Sequence, residues 1–206
     1  MTTPKFLYFD LGKVLVDFSR ERMYRQIGEV AGVEPAAVER VIFDGGLQQE
    51  YELGKISGRQ FYDAFCGQTG KRPDYDALER AGSDIFDLNL SLLPIVSQLH
   101  QISCKLGILS NTCNSHWEHC RRRFKIIAAS FSVHALSYEI GVAKSDAAIF
   151  RAAAELAGFE PQEIFFVDDM AEHVAAARAV GFDAVQYTST SRLAAQLRER
   201  GLEFNY

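Results

Sequence analysis

This sequence predicts an α/β fold: a doubly wound, mainly parallel sheet with helices on both faces, and a helical subdomain inserted early in the chain. Three observations carry that prediction. Several short apolar runs each end at a polar residue, and helix-period segments separate them. Between the first run and the second lies a block of about seventy residues, too long for a strand-to-helix loop and helical in pattern throughout.

The first run is Phe6-Leu7-Tyr8-Phe9, which stops at Asp10. It has no polar alternation, as expected of a strand buried on both faces. The insertion follows, from Asp17 to Asp87. Met23, Ile27, Val30 and Ala31 form one helical stripe, Pro35 can open a second helix, and Ser57 with Gln60 makes a capping box. Phe61 and Phe65 fall on one face at i, i+4. The chain thus divides into a core, residues 1–16 and 88–206, and a helical cap, residues 17–87.

The second half repeats the alternation. Leu106-Gly107-Ile108-Leu109 stops at Ser110, Ile164-Phe165-Phe166-Val167 at Asp168-Asp169, and Ala184-Val185-Gln186-Tyr187 at Thr188. Between them, Ile149, Ala152, Ala153 and Leu156 have helical spacing and Gly158 can cap that helix. Ala171 to Val180 ends at Gly181 in the same way.

Composition excludes several function classes. The 206 residues carry 27 acidic side chains against 22 Lys and Arg, a net charge of −5. A sequence-independent nucleic-acid binder needs a basic surface, and only Arg121-Arg122-Arg123 offers a basic run, which reads as a solvated helix end. No stretch approaches the roughly 18 apolar residues of a membrane span. With no signal-peptide pattern at the start, a cytoplasmic location is expected, and Cys66, Cys104, Cys113 and Cys120 are expected to be free thiols. The oligomeric state is not legible.

In open α/β sheets the ligand lies beyond the carboxyl ends of the strands. The residues to inspect are therefore Asp10, Ser110 with Asn111, the pair Asp168-Asp169, and Lys144 before a helix that starts near Ser145 or Asp146. Three carboxylates converging in one cleft repel one another unless a cation sits among them, and Mg²⁺ suits such hard oxygen ligands. A hydroxyl, an amide and an ammonium opposite the metal would cradle a phosphate. An aspartate at a strand end can then act as nucleophile, with water hydrolysing the aspartyl phosphate.

The order of these pieces resembles the haloacid dehalogenase superfamily over nearly the whole chain. The matching segments are Phe9 to Leu15, Ile108 to Thr112, Ser137 to Lys144 followed by Ala148-Ile149-Phe150, and Phe165 to Asp169 with Ala175 to Gly181 behind it. The resemblance implies a Rossmann-like core with a C1-type helical cap inserted after the first motif. The Asp-Leu-Gly first motif looks most like a bacterial branch that includes sugar-phosphate phosphatases. It further implies that Asp10 is nucleophile and metal ligand, with the Gly12 carbonyl and Asp169 also on Mg²⁺ and Asp168 acting through water. Ser110 and Asn111 would hold the phosphoryl oxygens, and Lys144 would neutralise nucleophile and phosphate.

One departure bears on mechanism. Most superfamily phosphatases carry a second aspartate two residues after the nucleophile, which protonates the leaving oxygen. Here that position is Gly12. General acid catalysis is typically worth about 10²–10⁴-fold, so the enzyme is expected either to favour anomeric, acyl or aryl phosphates, whose leaving groups need less help, or to borrow an acid from elsewhere, with Asp17 a candidate. Lys13 reads as an exposed loop lysine, with a place facing the cap, where it would add positive potential for an anionic substrate, the alternative; Ser145 reads as a helix cap where the family has proline, and His173 as a satisfied or exposed histidine, with a place at the site's rim the alternative.

Rival readings are weaker. Cys113, His116, His119 and Cys120 match no common zinc spacing. Dehalogenase chemistry would want an aromatic residue at Gly12, and phosphonate hydrolysis a cap lysine, for which only Lys55 and Lys71 are available. A phosphate-binding or regulatory protein with little catalysis is the alternative from another class. Among polar cap residues, Arg20, Arg22, Arg25, Gln49 and Tyr51 are candidates for substrate selection.

Overall fold

We describe residues 3–102 and 104–205 in a computed structural model of the chain. In chain order the elements are β1 (Phe6–Phe9), β2 (Val16–Phe18), α1 (Arg20–Ala31), α2 (Pro35–Glu39), α3 (Leu47–Glu52), α4 (Gly58–Thr69), α5 (Tyr75–Ser83), β3 (Phe86–Leu88) and α6 (Leu93–Gln101). Then come β4 (Lys105–Ser110), α7 (Asn114–Arg123), α8 (Lys125–Ser130), β5 (Val133–Leu136), α9 (Ser137–Ile140), α10 (Ala147–Ala157), β6 (Ile164–Asp168), α11 (Ala171–Val180), β7 (Asp183–Gln186) and α12 (Thr190–Arg198).

The main sheet is parallel throughout, in the order β5-β4-β1-β6-β7. From the central β1 the chain winds outward through β4 and β5, then returns to β6 and β7 on the other side. The point where it reverses lies beside β1, and there the carboxyl ends of neighbouring strands leave a crevice. Alternation along β1 explains why both faces are apolar: Leu7 and Phe9 join one core cluster with α6, α7, α8 and α12, while Phe6 and Tyr8 join a second with α10 and α11. Gly107, on the adjacent β4, is required by this packing. A Cβ there would lie 2.6 Å from the Tyr8 ring and 2.8 Å from Phe6.

β2 and β3 pair antiparallel as a two-stranded ribbon, and α1 to α5 lie between them in the chain. Ser57 and Gln60 form the expected capping box, and Pro35 opens α2. Gly158 and Gly181 adopt the left-handed conformation that terminates α10 and α11.

Three local expectations are corrected. Val30 is 39% exposed, because Gly28 brings α1 so close to the following turn that a Cβ would meet the Val33 carbonyl at 2.6 Å, which turns the buried stripe toward Gly28. Leu156 is 52% exposed, because α10 buries Ile149, Phe150, Ala153 and Ala154, a stripe centred about a quarter turn away. Asp146, not Ser145, caps α10, its carboxylate accepting the Ala148 N–H at 2.8 Å. β5 and the β2–β3 ribbon had no separate signal; they are short, and β2 and β3 carry Asp17 and Asp87 on their open face.

Candidate active site

All but one of the polar side chains of the crevice are delivered by the end of a strand. Asp10 follows β1, and its backbone N–H donates to the Val167 carbonyl at 2.9 Å, tying it to β6. Ser110 ends β4, and Asp168 ends β6 with Asp169 next. Lys144 arrives from the loop before α10, where its backbone N–H donates to Asn111 Oδ1 at 2.8 Å. Asn111 therefore spends its carbonyl oxygen on holding the lysine.

The Lys144 ammonium lies 2.8 Å from Asp10 Oδ1 and 2.6 Å from Asp168 Oδ2, with all three side chains buried. Both Asp168 oxygens are committed, since Oδ1 accepts the Met170 N–H at 2.8 Å and the His173 Nδ1–H at 3.1 Å. His173 is thus neither exposed nor at the rim, but buried on the first turn of α11 beneath Asp168. Asp169, half-buried, is less constrained.

Electrostatics separate the carboxylates. Burial pushes Asp10 up to about 6, helped by the Asp168 charge and opposed by Lys144. Burial works the same way on Asp168, but the His173 hydrogen bond and the Lys144 charge outweigh it and hold the group down at about 2. Burial and Asp168 raise Asp169 as well. Lys144 is held protonated against its own burial by Asp10 and Asp168. One ammonium is too little positive charge for three carboxylates. Asp10, Asp168 and Asp169 each offer an oxygen, all within 4.8 Å of one another, the one such cluster among the described residues. That donor set fits a hard divalent cation such as Mg²⁺.

The turn after Asp10 is tight. The Asp10 carboxylate accepts the Leu11 N–H at 2.7 Å, Lys13 donates its N–H to the Val16 carbonyl at 2.7 Å, and Lys13 sits at φ 59°, in the left-handed region. Its ammonium, half-exposed, lies 3.3 Å from Asp17 and over the Phe18 ring. Phe18 fills the space beside Gly12, where a Cβ would stand 3.1 Å from its ring. Asp17 is 69% exposed in its side chain, pairs with Lys13 and is not among the residues lining the cavity.

A cavity of about 500 Å³, open to solvent, lies beside these groups and is lined by their chain neighbours. Its floor is Leu11, Gly12, Ser110, Asn111 and Thr112, and its opposite wall brings Arg20, Gln48, Glu52 and His116 together with Phe18, Phe43 and Phe86. A second space of about 490 Å³ among the inserted helices shares Met23, Gln48 and His116 with it and is lined by aromatic rings, Tyr51 included. Of the polar cap residues named from sequence, Arg20 alone lines the first cavity. Arg22 pairs with Asp84 and Asp87, Arg25 with Glu29, and Gln49 is exposed. Gln48, Glu52 and His116 carried no motif; their signal would have been helical phase, four residues apart on α3 for the first two. Lys55 and Lys71 are exposed and line neither space. The cysteine–histidine group is not assembled as a metal site: the His116 Nε2–H donates to the Gly82 carbonyl at 3.1 Å, and Cys113 is buried against Gln48 and Ser115.

The family model described as haloacid dehalogenase-like hydrolase matches residues 5–181. The chain belongs to the haloacid dehalogenase-like hydrolases. Among members of this family, a D-ribitol-5-phosphate phosphatase of Bacteroides thetaiotaomicron is 24% identical over 189 residues, covering 88% of this chain and 91% of its own. A solved structure of a HAD family enzyme from the same organism, in complex with magnesium and inorganic phosphate, superposes with a TM-score of 0.79 at 26% identity, covering 89% of this chain and 93% of that one. A HAD-like family hydrolase from Porphyromonas gingivalis gives a TM-score of 0.82 at 23% identity over 96% of this chain and 99% of its own. A dehalogenase, at 14% identity and a TM-score of 0.66, shares the fold alone. A phosphoric monoester hydrolase of the haloacid dehalogenase type is what the matched family model and these relatives support.

Proposed function

We propose that the protein is a Mg²⁺-dependent phosphatase of small sugar or polyol phosphates, working through an aspartyl phosphate on Asp10. The observation that carries this reading is the Asp10–Lys144–Asp168 contact at the mouth of β1 and β6, 2.8 Å and 2.6 Å across, beside a cavity lined by Ser110 and Asn111. The phosphatase relative named for ribitol 5-phosphate supports the substrate class.

Asp10 Oδ attacks phosphorus, and the leaving oxygen departs opposite to it, toward the inserted helices. Lys144 holds the nucleophile ionised and draws the phosphoryl group to it. The Ser110 hydroxyl and the free amide of Asn111 donate to the phosphoryl oxygens. Mg²⁺, when bound, supplies Lewis-acid neutralisation of the carboxylates and the phosphoryl oxygen. Asp10, Asp169 and the Gly12 carbonyl would hold it, with Asp168 acting through water because its own oxygens are taken by Lys144, His173 and the Met170 N–H. Helices α1 to α5 act as the cap that excludes bulk water.

The test is turnover of a phosphate monoester in magnesium by wild type and by Asp10→Asn. The variant is expected to lose at least about 10³-fold in kcat while keeping its fold. Turnover close to wild type would remove Asp10 as nucleophile, and tight phosphate binding by a wild type that turns nothing over would favour a phosphate-binding protein instead.

A further inference from the structure

The phosphatase reading leaves one chemical requirement open. If a sugar or polyol phosphate is cleaved at phosphorus, the departing oxygen leaves as an alkoxide unless something protonates it. Gly12 cannot, and the space beside it is occupied by the Phe18 ring. Because displacement is in line, the leaving oxygen points away from Asp10 and into the 500 Å³ cavity, so the donor must line that cavity.

Resting on that reading, we propose that Glu52 is the proton donor to the leaving oxygen. Among the described residues it is the one carboxyl that lines the cavity over Gly12, Ser110 and Asn111. The other ionisable groups there are disqualified by chemistry. Arg20 is permanently protonated and lies over the Phe43 ring. His116 spends its Nε2–H on the Gly82 carbonyl at 3.1 Å, and its burial disfavours the charged form that would have a second proton to give.

Glu52 is also built in place. It ends α3, and Gln48 one turn earlier donates from Nε2 to Oε1 at 2.8 Å, leaving Oε2 without a partner among the described residues. Its backbone carbonyl accepts the Ser137 hydroxyl at 2.6 Å, and the same hydroxyl oxygen accepts the Thr112 N–H at 3.0 Å. The residue that presents the carboxyl is therefore anchored to the loop that presents Ser110 and Asn111.

In the first step the Asp10 Oδ–phosphorus bond forms, the bond from phosphorus to the ester oxygen breaks, and the Glu52 proton passes to that oxygen, releasing an alcohol. The Glu52 carboxylate left behind then takes a proton from the water that attacks phosphorus. The aspartyl bond breaks, inorganic phosphate leaves, and both carboxyl groups return to their starting states.

The test is kcat/KM for wild type and Glu52→Gln in magnesium, over monoesters running from a primary alkyl phosphate to a nitrophenyl phosphate. This parameter stops at release of the first product, so it reports proton donation without the later hydrolysis. The expected result is a loss of about 10²–10³-fold for the alkyl ester and a loss at least tenfold smaller for the nitrophenyl ester, whose leaving group departs as a stable anion. An equal loss across the series would mean that Glu52 only binds or positions, and no loss would mean that it is idle; either overturns the proposal. Thermal melting of the variant checks that it is folded, and Asp10→Asn in the same series keeps the two readings apart. Should Asp10→Asn remain active, the phosphatase mechanism itself fails, whatever Glu52→Gln does.

Discussion

Beside the cavity floor of Leu11, Gly12, Ser110, Asn111 and Thr112 lie three carboxylates fixed at the ends of buried strands and one ammonium from the loop before α10, and these form the charged floor of the site, whereas the opposite wall is a layer of helices that offers Arg20, Glu52 and His116 among aromatic rings. The floor is held by charge and by the register of β1 against β4 and β6. The wall is held by packing and by a few hydrogen bonds to the floor, of which Ser137 to Glu52 is one. The difference shows which part of such a site can vary. Moving a floor residue strands a charge in the protein interior, while exchanging a wall residue alters only what the cavity accepts.

The strongest way to break this comparison is to remove the floor's cation. In Lys144→Met, Asp10 and Asp168 would face each other buried and unpaired, which should cost about 3–5 kcal/mol in urea unfolding at neutral pH. Added Mg²⁺ should recover part of the loss. A change below about 1 kcal/mol would mean that the carboxylates find other partners, and that charge does not hold the floor.

The wall is tested where it meets the core. Gly54 sits at φ 64°, and a Cβ there would lie 2.1 Å from the Tyr138 carbonyl oxygen. In Gly54→Ala the left-handed backbone alone costs about 1–2 kcal/mol, and the clash pushes the loop behind α3 off α9. Because Glu52 lies two residues away, KM for substrate should rise by several-fold while most of the unfolding free energy is kept. A normal KM would show that docking of this loop does not govern the cavity.

The same contrast explains what could be read from the sequence. Asp10, Ser110, Asp168 and Asp169 were legible because strand ends are marked by an abrupt switch from apolar to polar, and carboxylates in that position demand a cation; Lys144 was legible from its place just before a helix start. The fold class was legible because the apolar runs are too short for helices, end abruptly at polar residues and alternate with helix-period segments. His173 is satisfied, one of the two states read from sequence, but its partner was not legible because that depends on the turn between Asp168 and α11, which periodicity does not describe. Glu52 and Gln48 went unread because their shared helical phase says nothing of what lies opposite until the helix is docked. Val30 and Leu156 failed by a fraction of a turn, the usual error when glycine or phenylalanine shifts a stripe.

A finer test asks how much of the floor's charge is still unbalanced without metal. Asp10 binds its proton more tightly in the folded chain, at about 6 against an ordinary 3.8, because of burial and Asp168. The folded state then holds more protons than the unfolded chain between those values, so this contribution is full below pH 3.8 and is lost as pH rises through 6. Asp168 has the opposite sign. It is held at about 2 by His173 and Lys144 against its own burial, so its contribution is present above 3.8 and lost as pH falls through 2. The metal-free protein should therefore lose stability at this site between about pH 4 and pH 6, by roughly 1–3 kcal/mol at most. Asp10→Asn should abolish that loss and unfold later than wild type above pH 6. Thermal melting of both proteins in chelator, across pH 4 to 8, reads the difference directly. Parallel curves would mean that Lys144 alone already balances the floor, and that the pull toward a divalent cation comes from the substrate and not from the protein.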